Sequence, residues 1–544
     1  MGPPPGGHNC RMAKPAGGID LSPAERAVLE RYVTNLDGRV FALRELPEVV
    51  KGALFSRYSR TEKSLRRVLL DEFLNEPDAG LDLAGASPHP DGRVASDRAE
   101  AFYERVLVGY GDDSVAELAG AHLAVERVST LAAKALEDSR IGLSPLEKST
   151  RYVRFDRPDA EGRYLYHRGP ELRHPVYEPA MDELFRTYSG LLEPLTERVR
   201  QAFPAEPGET ERGWKSATRA RALDLLRGLL PAAALTNLGL YGNGRAFEYL
   251  LTKLSASELP ECRDLVREMH AELARVIPAF VRRALDERYG APAAARIVEV
   301  RRRLAELAPS HRARHFEVEV RLVDCDRDAE RKVAAAALFP YSDLPLAVLR
   351  DADMDGVEVE RVLEAMLGQR SNRRQRAPRA LEHVHYTFEI TANFAAYRDL
   401  HRHRMLTQDR QLLGTSLGYD LPPELVEHGM GEHFQRAIEV AADAHDRLEA
   451  EVGPALAQYA VPFAFRLRWY FRANLREVFH LCELRTTPQG HPDYRHVAQE
   501  MFRRVQEVHP RLAGYARFVD LSPGDELERR ASERRIDEKL AGLV

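Results

Sequence analysis

A proline followed twelve residues later by Asn-x-Arg occurs twice in this chain. The matched residues are Pro231, Asn243 and Arg245 in the first half and Pro462, Asn474 and Arg476 in the second half. An earlier acidic residue also has a counterpart, since Glu117 precedes the first pattern as Glu382 precedes the second. The offsets differ (474 − 243 = 231 and 382 − 117 = 265), which indicates different insertions in the two copies. Three landmarks in one order predict an ancestral unit present twice, at a period much longer than that of solenoid repeats.

The length of the chain agrees with more than one folded unit, because 544 residues exceed the usual size of a single domain. We predict a helix-rich α+β fold in two tandem, divergent copies that pack as an internal pseudo-dimer. The predicted segments are a disordered N-terminal tail (1–20), a first repeat (21–291), a charged linker helix (292–315), a second repeat (316–525) and a charged C-terminal helix (526–544).

Charge and composition argue against several classes of protein. A net charge of −5 is small beside 163 charged side chains (79 + 84), which argues against a dedicated nucleic-acid binder. The sequence contains no apolar run of about 18 residues, so we expect no membrane-spanning segment. The four cysteines are isolated in sequence and form no CxxC pair, which fits a reducing cytoplasm.

Local patterns predict most elements directly. Ser22, Pro23 and Glu25 mark the start of a capped helix that runs to Leu36. The other predicted elements are an amphipathic helix from Leu46 to Asn75, a polar loop over 77–93, a long helix over 114–139, a strand over 316–325, a helix over 328–342 and an exposed C-terminal helix.

The segment from Arg373 to Tyr419 contains the densest cluster of candidate functional side chains. Its apolar residues recur at steps of three and four from Leu381 to Ala395, which predicts a helix that starts with Glu382-His383 and ends on Arg402-His403-Arg404. Guanidinium groups bind phosphate and other planar anions through paired hydrogen bonds. The alternative is a solvated basic helix end, which the helix dipole also favours.

This segment resembles the signature of flavin-dependent thymidylate synthases, Arg-His-Arg-x-x-Ser-x-x-x-x-Ser-x-Arg. Glu382-His383 is followed by Arg402-His403-Arg404 and then by Thr407 at the first serine position. The last two fixed positions of the motif hold Leu412 and Gly414, so the second repeat lacks the end of the motif.

The first repeat resembles the part of the motif that the second repeat lacks. Ser144, Ser149 and Arg151 have the spacing of the motif's end, whereas Glu137-Asp138-Ser139 replaces the Arg-His-Arg triplet. Two further family arginines are divided in the same way. Arg227 has Gln458 as its counterpart in the second repeat, and Arg485 has Leu254 as its counterpart in the first.

The resemblance implies an enzyme that methylates dUMP to dTMP, a flavoprotein methyltransferase of nucleotide biosynthesis. It implies FAD as the cofactor, methylene-tetrahydrofolate as the carbon donor and NADPH as the reductant. The implied substrate-binding residues are Glu147, Ser149, Arg151, Arg227 and Arg485, of which Ser149 and Arg485 are also the implied catalytic residues. The implied cofactor-binding residues are Glu382, Arg402, His403, Arg404, Asn243, Arg245, Asn474 and Arg476. Family members with one repeat per chain assemble as tetramers, which implies a homodimer of two-repeat chains here.

Several alternatives stay open at this point. Ser149 and Arg151 could be a turn hydroxyl and a surface charge, and Asn243 and Asn474 could simply cap helices. The chain could be a non-catalytic nucleotide- or flavin-binding homologue, or it could bind nucleic acid through the basic stretch 370–379. We predict no metal site in the cluster His383, His385, His401 and His403, because i, i+2 spacing on a helix does not bring two rings to one face.

Overall fold

The computed structural model describes residues 21–38, 40–58, 61–74, 116–308, 318–352, 356–524, 527 and 529–541. The predicted tail (1–20), the loop over 77–93 and most of the polar stretch after residue 308 lie outside this range. The described chain contains two antiparallel sheets, each packed against its own helices. No helix among the described residues is long and apolar enough to cross a membrane.

Each described strand belongs to one repeat or the other, and neither of the two sheets mixes strands of both repeats. The first sheet has the order β1-β3-β2, with β1 at Gly120–Ser129, β2 at Leu143–Glu147 and β3 at Leu235–Asn243. The second sheet has the order β4-β5-β7-β6, with β4 at Glu319–Cys325, β5 at His385–Asn393, β6 at Leu406–Arg410 and β7 at Arg466–Asn474.

Helices fill the space around both sheets. In the first half they are α1 Pro23–Tyr32, α2 Glu48–Tyr58, α3 Leu65–Val68, α4 Thr130–Glu137, α5 Tyr177–Ala202, α6 Glu211–Leu226, α7 Gly244–Ser255, α8 Pro260–Leu273, α9 Pro278–Val281 and α10 Gly290–Leu307. In the second half they are α11 Ala329–Leu338, α12 Leu346–Asp351, α13 Gly356–Leu367, α14 Phe394–Leu400, α15 Pro423–Glu427, α16 Gly431–Val452, α17 Pro454–Ala457, α18 Leu475–Arg485, α19 Pro492–Val508, α20 Pro510–Ala513 and α21 Arg530–Ala541.

Strand register shows that the sequence duplication is a structural duplication. Gly120 pairs with Asn243 in the first sheet, and His385 pairs with Asn474 at the matching place in the second. The short strands match as well, since Leu143 pairs with Gly242 and Leu406 pairs with Ala473. The prediction of two tandem, divergent α+β copies is therefore confirmed.

The two repeats meet along a pair of matched backbone segments, 228–233 and 459–464. The Ala232 amide donates to the Val461 carbonyl at 2.8 Å, and the Phe463 amide donates to the Leu230 carbonyl at 2.9 Å. Each bond is the counterpart of the other, so the copies are related by a local twofold axis. Buried apolar side chains from both repeats form one continuous core across this axis.

The predicted helix over 382–404 is wrong for most of its length. A short 3₁₀ turn at Arg379–His383 leads into strand β5, then helix α14, then strand β6. Strand β5 lies between β4 and β7, and its apolar residues Tyr386, Phe388, Ile390 and Ala392 alternate with polar ones. The step of four between Phe388 and Ala392 agrees with the helical period, but it agrees equally well with the period of two of a strand.

The long helix predicted over 114–139 is also wrong, because its first half is strand β1 and only its second half is helix α4. A β-bulge lies between Val125 and Val128, and Arg127 has a φ of 55° there. The bulge breaks the period of two that would have indicated a strand. The predicted helix over 46–75 is divided into α2, α3 and a π-helical turn at Leu69–Leu74.

The predicted start of the first helix is confirmed, although the helix ends at Tyr32 and not at Leu36. Ser22 caps α1, and its side chain and that of Glu25 form a reciprocal capping box. Strand β4 and helix α11 occupy the predicted ranges, and α10 forms most of the predicted linker helix. The C-terminal helix α21 lies along α6, where Arg212 pairs with Asp537 at 2.7 Å.

Candidate functional site

A cavity of about 420 Å³ in the second repeat, which we name the basic cavity, contains most of the residues predicted there. The predicted residues in its wall are Glu382, Arg402, His403, Arg404, Asn474, Arg476 and Arg485. Arg370, Arg373 and Arg376 also line it, so three arginines of the basic stretch 370–379 contribute to this wall. Seven arginines face three glutamates in the lining, which favours an anionic ligand.

Helix α18 positions one side of the basic cavity. The Asn474 side chain accepts a hydrogen bond from the Glu477 amide at 2.9 Å and caps the helix, and Asn243 caps α7 in the same way. The interpretation of both asparagines as helix caps is therefore confirmed. Because Asn474 also lines the cavity, the positive end of the helix dipole lies at the cavity wall.

His403 and Arg485 form a fixed pair in this wall. His403 Nδ1 lies 2.6 Å from a Glu477 carboxylate oxygen, and Arg485 Nε donates to His403 Nε2 at 3.1 Å. Burial, and then the positive charge of Arg485, hold the pKa of His403 well below its ordinary value. His403 is therefore neutral, with Nδ1 as the donor and Nε2 as the acceptor.

Four predicted arginines, two from each repeat, surround Asp399 at the boundary between the repeats. We name this group the composite arginine cluster: Arg151, Arg227, Arg402 and Arg485. Arg227 of the first repeat contacts Asp399 at 3.0 Å, and Arg402, which belongs to the same repeat as Asp399, contacts it at 3.2 Å. Burial opposes ionisation of Asp399, but the surrounding guanidinium groups, that of Arg227 first, hold its pKa well below the ordinary value.

Tyr494 and Asp224 complete the surroundings of the cluster. Arg151 forms a two-bond fork with the buried Asp224, at 2.8 Å and 2.6 Å, and its Nη1 lies 3.5 Å from the Tyr494 hydroxyl. The guanidinium carbon of Arg485 lies 5.7 Å from the centre of the same tyrosine ring. Tyr494 thus brings together one arginine from each repeat.

The composite arginine cluster keeps unused hydrogen-bonding capacity. Arg227 is 3% exposed, and its Nε and Nη2 atoms have no hydrogen-bond partner among the residues that the structure describes. A buried donor without a partner is costly unless a ligand or water completes it. The cluster is therefore suited to an anion or another hydrogen-bond acceptor.

The remaining predicted substrate residues have internal partners. Glu147 is buried and pairs with Lys134 at 2.7 Å and with Arg398 of the other repeat at 3.0 Å. Ser149 accepts a hydrogen bond from the Arg151 amide at 3.2 Å, which is the turn geometry of one alternative. The matching alternative for Arg151, a surface charge, is wrong because only 8% of this residue is exposed.

Asn243 and Arg245 of the first repeat do not line the basic cavity. Arg245 pairs with Glu117 at 2.7 Å, as Arg476 pairs with Glu382 at 2.8 Å, so the two acidic landmarks are structural counterparts. Arg245 instead lines a surface groove against helix α10. The linker helix thus lies where the first repeat would have its own equivalent of the basic cavity.

Several residues of the site were not found from the sequence. Asp399, Asp224, Tyr494 and Glu477 belong to no motif, and only the position of Asp399 three residues before Arg402 offered a signal. His403, Glu477 and His480 bring possible metal-ligand atoms within 4.8 Å of one another. Both ring nitrogens of His403 already have partners and Arg485 is adjacent, so this group is better suited to hydrogen bonding than to a cation.

Fold and site together define a two-repeat α+β protein with an arginine-rich site at the boundary of its repeats. The model of the thymidylate synthase complementing protein family matches residues 74–279 and again 321–511. The chain therefore belongs to this family, in two tandem copies. The resemblance seen in the sequence is confirmed, and membership supports a thymidylate synthase-like role in nucleotide biosynthesis.

Relatives of two lengths agree with this organisation. A protein of Chlamydia muridarum named UPF0159 protein is 44% identical over 519 residues, covering 93% of this chain and 97% of its own. A flavin-dependent thymidylate synthase of Geobacter sulfurreducens is 29% identical over 219 residues, covering 38% of this chain and 88% of its own. Among solved structures, a UMP/dUMP methylase from Streptomyces cacaoi aligns at 20% identity with a TM-score of 0.30, covering 37% of this chain and 96% of that one.

Proposed function

We propose that this protein is an FAD-dependent enzyme that reductively methylates dUMP to dTMP. In this proposal methylene-tetrahydrofolate donates the carbon and NADPH is the reductant. The observation that carries the proposal is the convergence of Arg151 and Arg227 with Arg402 and Arg485 around Asp399. The name of the Geobacter relative supports the reaction class. We further propose a cytoplasmic homodimer.

The composite arginine cluster would hold the nucleotide. Arg227, whose Nε has no hydrogen-bond partner among the described residues, would bind the monophosphate, and Arg151, whose fork is held by Asp224, would add positive charge. The Ser149 hydroxyl lies next to the Arg151 amide. Arg485, oriented by His403, would face the carbonyl side of the pyrimidine ring. A guanidinium fixed there would stabilise the negative charge that develops when the ring accepts a hydride.

Glu147 would act as a positioning residue in this scheme. Its carboxylate connects Lys134 of the first repeat to Arg398 of the second, and Arg398 belongs to the same helix as Asp399. The ion pairs therefore fix helix α14, and with it Asp399, relative to the first repeat.

The basic cavity suits the flavin cofactor. Its volume of about 420 Å³ lies within the usual range for a small-molecule site, roughly 300–1,000 Å³. Arg402, Arg404 and Arg476 would hold the diphosphate of FAD, near the amino end of α18, while Asn474 and Glu382 complete the wall. When bound, the flavin supplies the redox chemistry, and the protein orients it.

The positions that match the composite arginine cluster across the local twofold axis lack its arginines. This difference between the two sides supports a single nucleotide site per chain. The positions that match Arg151, Arg227 and Arg485 hold Gly414, Gln458 and Leu254, so the matching side has none of those cations. Strand register also places Arg410 where Glu147 lies in the first repeat. Arg410 forms an ion pair with Asp138 at 2.6 Å and a hydrogen bond with Tyr397, which fills the space.

The second candidate function is nucleotide and flavin binding without turnover, which the loss of half a motif from each repeat favours. Tritium release from dUMP labelled at C5, with FAD, NADPH and methylene-tetrahydrofolate, distinguishes the two. We expect release together with dTMP formation. A protein that binds flavin and dUMP but releases no tritium would establish the non-catalytic alternative.

Flavin content tests the cofactor half of the proposal. We expect the wild-type protein to contain about one FAD per chain, and the double variant Arg402→Ala/His403→Ala to be colourless, because both side chains line the basic cavity. Flavin absorbance against total protein measures this, with circular dichroism to verify folding. Arg245→Ala, at the first-repeat counterpart of Arg476, is the matched control and should retain its flavin. A folded yellow double variant would contradict the assignment.

A further inference from the structure

A second cavity of about 350 Å³ lies between the repeats. The residues that matter for its chemistry are Arg227 and Gly228 from the first repeat and Asn393, Asp420 and Asp493 from the second. Arg227 connects it, through Asp399, to Arg402 in the wall of the basic cavity. The second cavity is thus separate from the basic cavity but adjacent to the same arginine cluster.

The place that corresponds to this cavity across the local twofold axis is filled by a side chain. The Ala464 amide donates to the Gly228 carbonyl at 3.0 Å, and the Ala233 amide donates to the Tyr459 carbonyl at 3.1 Å, so Gly228 and Tyr459 occupy matched positions. Tyr459 is fully buried, and its hydroxyl donates to Glu261 at 2.7 Å. The second cavity exists where glycine replaces this tyrosine.

The carboxylate that meets the tyrosine also has a counterpart. Glu261 and Asp493 each follow the proline that begins a helix, α8 and α19 respectively. Glu261 accepts from Ser129, the cap of α4, at 2.6 Å, and Asp493 accepts from Asn393, the cap of α14, at 2.8 Å. Asp493 therefore lies at the second cavity without a counterpart of the Tyr459 hydroxyl, which donates to Glu261 on the other side.

Arg227 lines the second cavity together with Asp493 and has donor atoms that form no hydrogen bond among the described residues. Its position matches Gln458 next to the tyrosine, and its Nη2 atom lies 3.9 Å from an Asp493 carboxylate oxygen, too far for a hydrogen bond. Its Nε and Nη2 atoms have no hydrogen-bond partner among the described residues. Arg227 as a donor and Asp493 as an acceptor thus lie side by side at the edge of the second cavity. At the matching place across the local twofold axis, the ring of Tyr459 fills the space.

We propose that the second cavity binds a planar heterocycle through a cyclic lactam edge. The ring N–H would donate to Asp493, and the adjacent ring carbonyl would accept from Arg227. The ring would occupy the space that Tyr459 fills on the other side. Pyrimidine bases and pterins share this edge, and the volume of about 350 Å³ lies at the small end of the usual range for small-molecule sites. The proposal shares Arg227 with the proposed nucleotide site, but its acceptor Asp493 lies outside that site, and it does not depend on turnover or on the identity of the flavin.

Equilibrium binding of pterin and of uracil, each titrated into the full-length protein by calorimetry, tests this site. We expect at least one of the two to bind, and the one that binds identifies the ring class. Asp493→Asn should weaken that binding by about tenfold or more, because the N–H donor loses its charged acceptor. Glu261→Gln is the matched control, because Glu261 is the counterpart of Asp493 on the side where Tyr459 fills the space. This variant should leave the affinity unchanged.

Gly228→Tyr provides a second variant, since it would fill the cavity as Tyr459 fills the counterpart. A Cβ at position 228 would lie 3.1 Å from the Phe434 ring and 3.2 Å from Ala464, so folding must be checked by circular dichroism. We expect the folded variant to lose the probe. Binding of neither probe, or binding that survives Asp493→Asn unchanged, would overturn the proposal.

Discussion

An Arg485→Ala enzyme is expected to fold normally, bind flavin and lose about 10²–10³-fold in kcat, the usual effect of removing one preplaced electrostatic donor. Arg485 is half-buried and its nearest partner is the neutral His403, so its removal leaves no buried charge uncompensated. Tritium release from labelled dUMP measures the loss. The expected effect is on turnover rather than on stability.

Two comparisons make this prediction specific. Arg245→Ala removes an exposed arginine whose partner Glu117 is also exposed, and it should leave kcat unchanged. Arg485→Lys keeps the charge but loses the fork and the Nε bond to His403, so it should recover only part of the rate. Full activity in Arg485→Ala would remove this residue from the mechanism.

Arg151→Ala is expected to lower the free energy of unfolding by about 3–5 kcal/mol, the range for breaking a buried ion pair from one side. Asp224 is 4% exposed and would lose both bonds of its fork with Arg151. Denaturant unfolding at neutral pH measures the loss. Adding Asp224→Asn should recover part of it by removing the unpaired charge, whereas Arg245→Ala, at an exposed pair, should cost less than about 1 kcal/mol.

Acidification should reduce the difference between wild type and Arg151→Ala. Burial opposes ionisation of Asp224, but the Arg151 charge holds its pKa below the ordinary value in the folded wild type. A depressed folded pKa contributes stability above the unfolded pKa, about 3.9, and that contribution is lost as the pH falls through the folded pKa. In the variant, burial without Arg151 favours the neutral acid. A difference that stays constant from pH 7 to pH 3 would contradict this account.

The sequence predicted the duplication because its landmarks are locally determined. Asn243 and Asn474 cap helices that follow matched strands, and each Arg two residues later pairs with an acidic landmark, so spacing alone revealed both copies. Strand β5 was mistaken for a helix because the step of four between Phe388 and Ala392 satisfies both the helical period and the period of two of a strand.

The candidate site was predictable only where a motif carried it. Arg151 and Arg402 could be named from spacing, but no local pattern shows that Asp399 lies between arginines of different repeats. The partnership of Arg151 with Asp224, and the replacement of Tyr459 by Gly228, depend on how the repeats pack. Such features follow from tertiary structure and not from propensity.

The central claim is that two incomplete repeats build one nucleotide site, and calorimetric titration with dUMP tests it most directly. We predict one dUMP per chain in the wild-type protein. We also predict that Arg227→Ala in the first repeat and Arg485→Ala in the second each weaken that same site by about tenfold or more, since each loses a charge-assisted contact. Two equivalent dUMP sites per chain, or undiminished affinity in either variant, would contradict a site shared between the repeats.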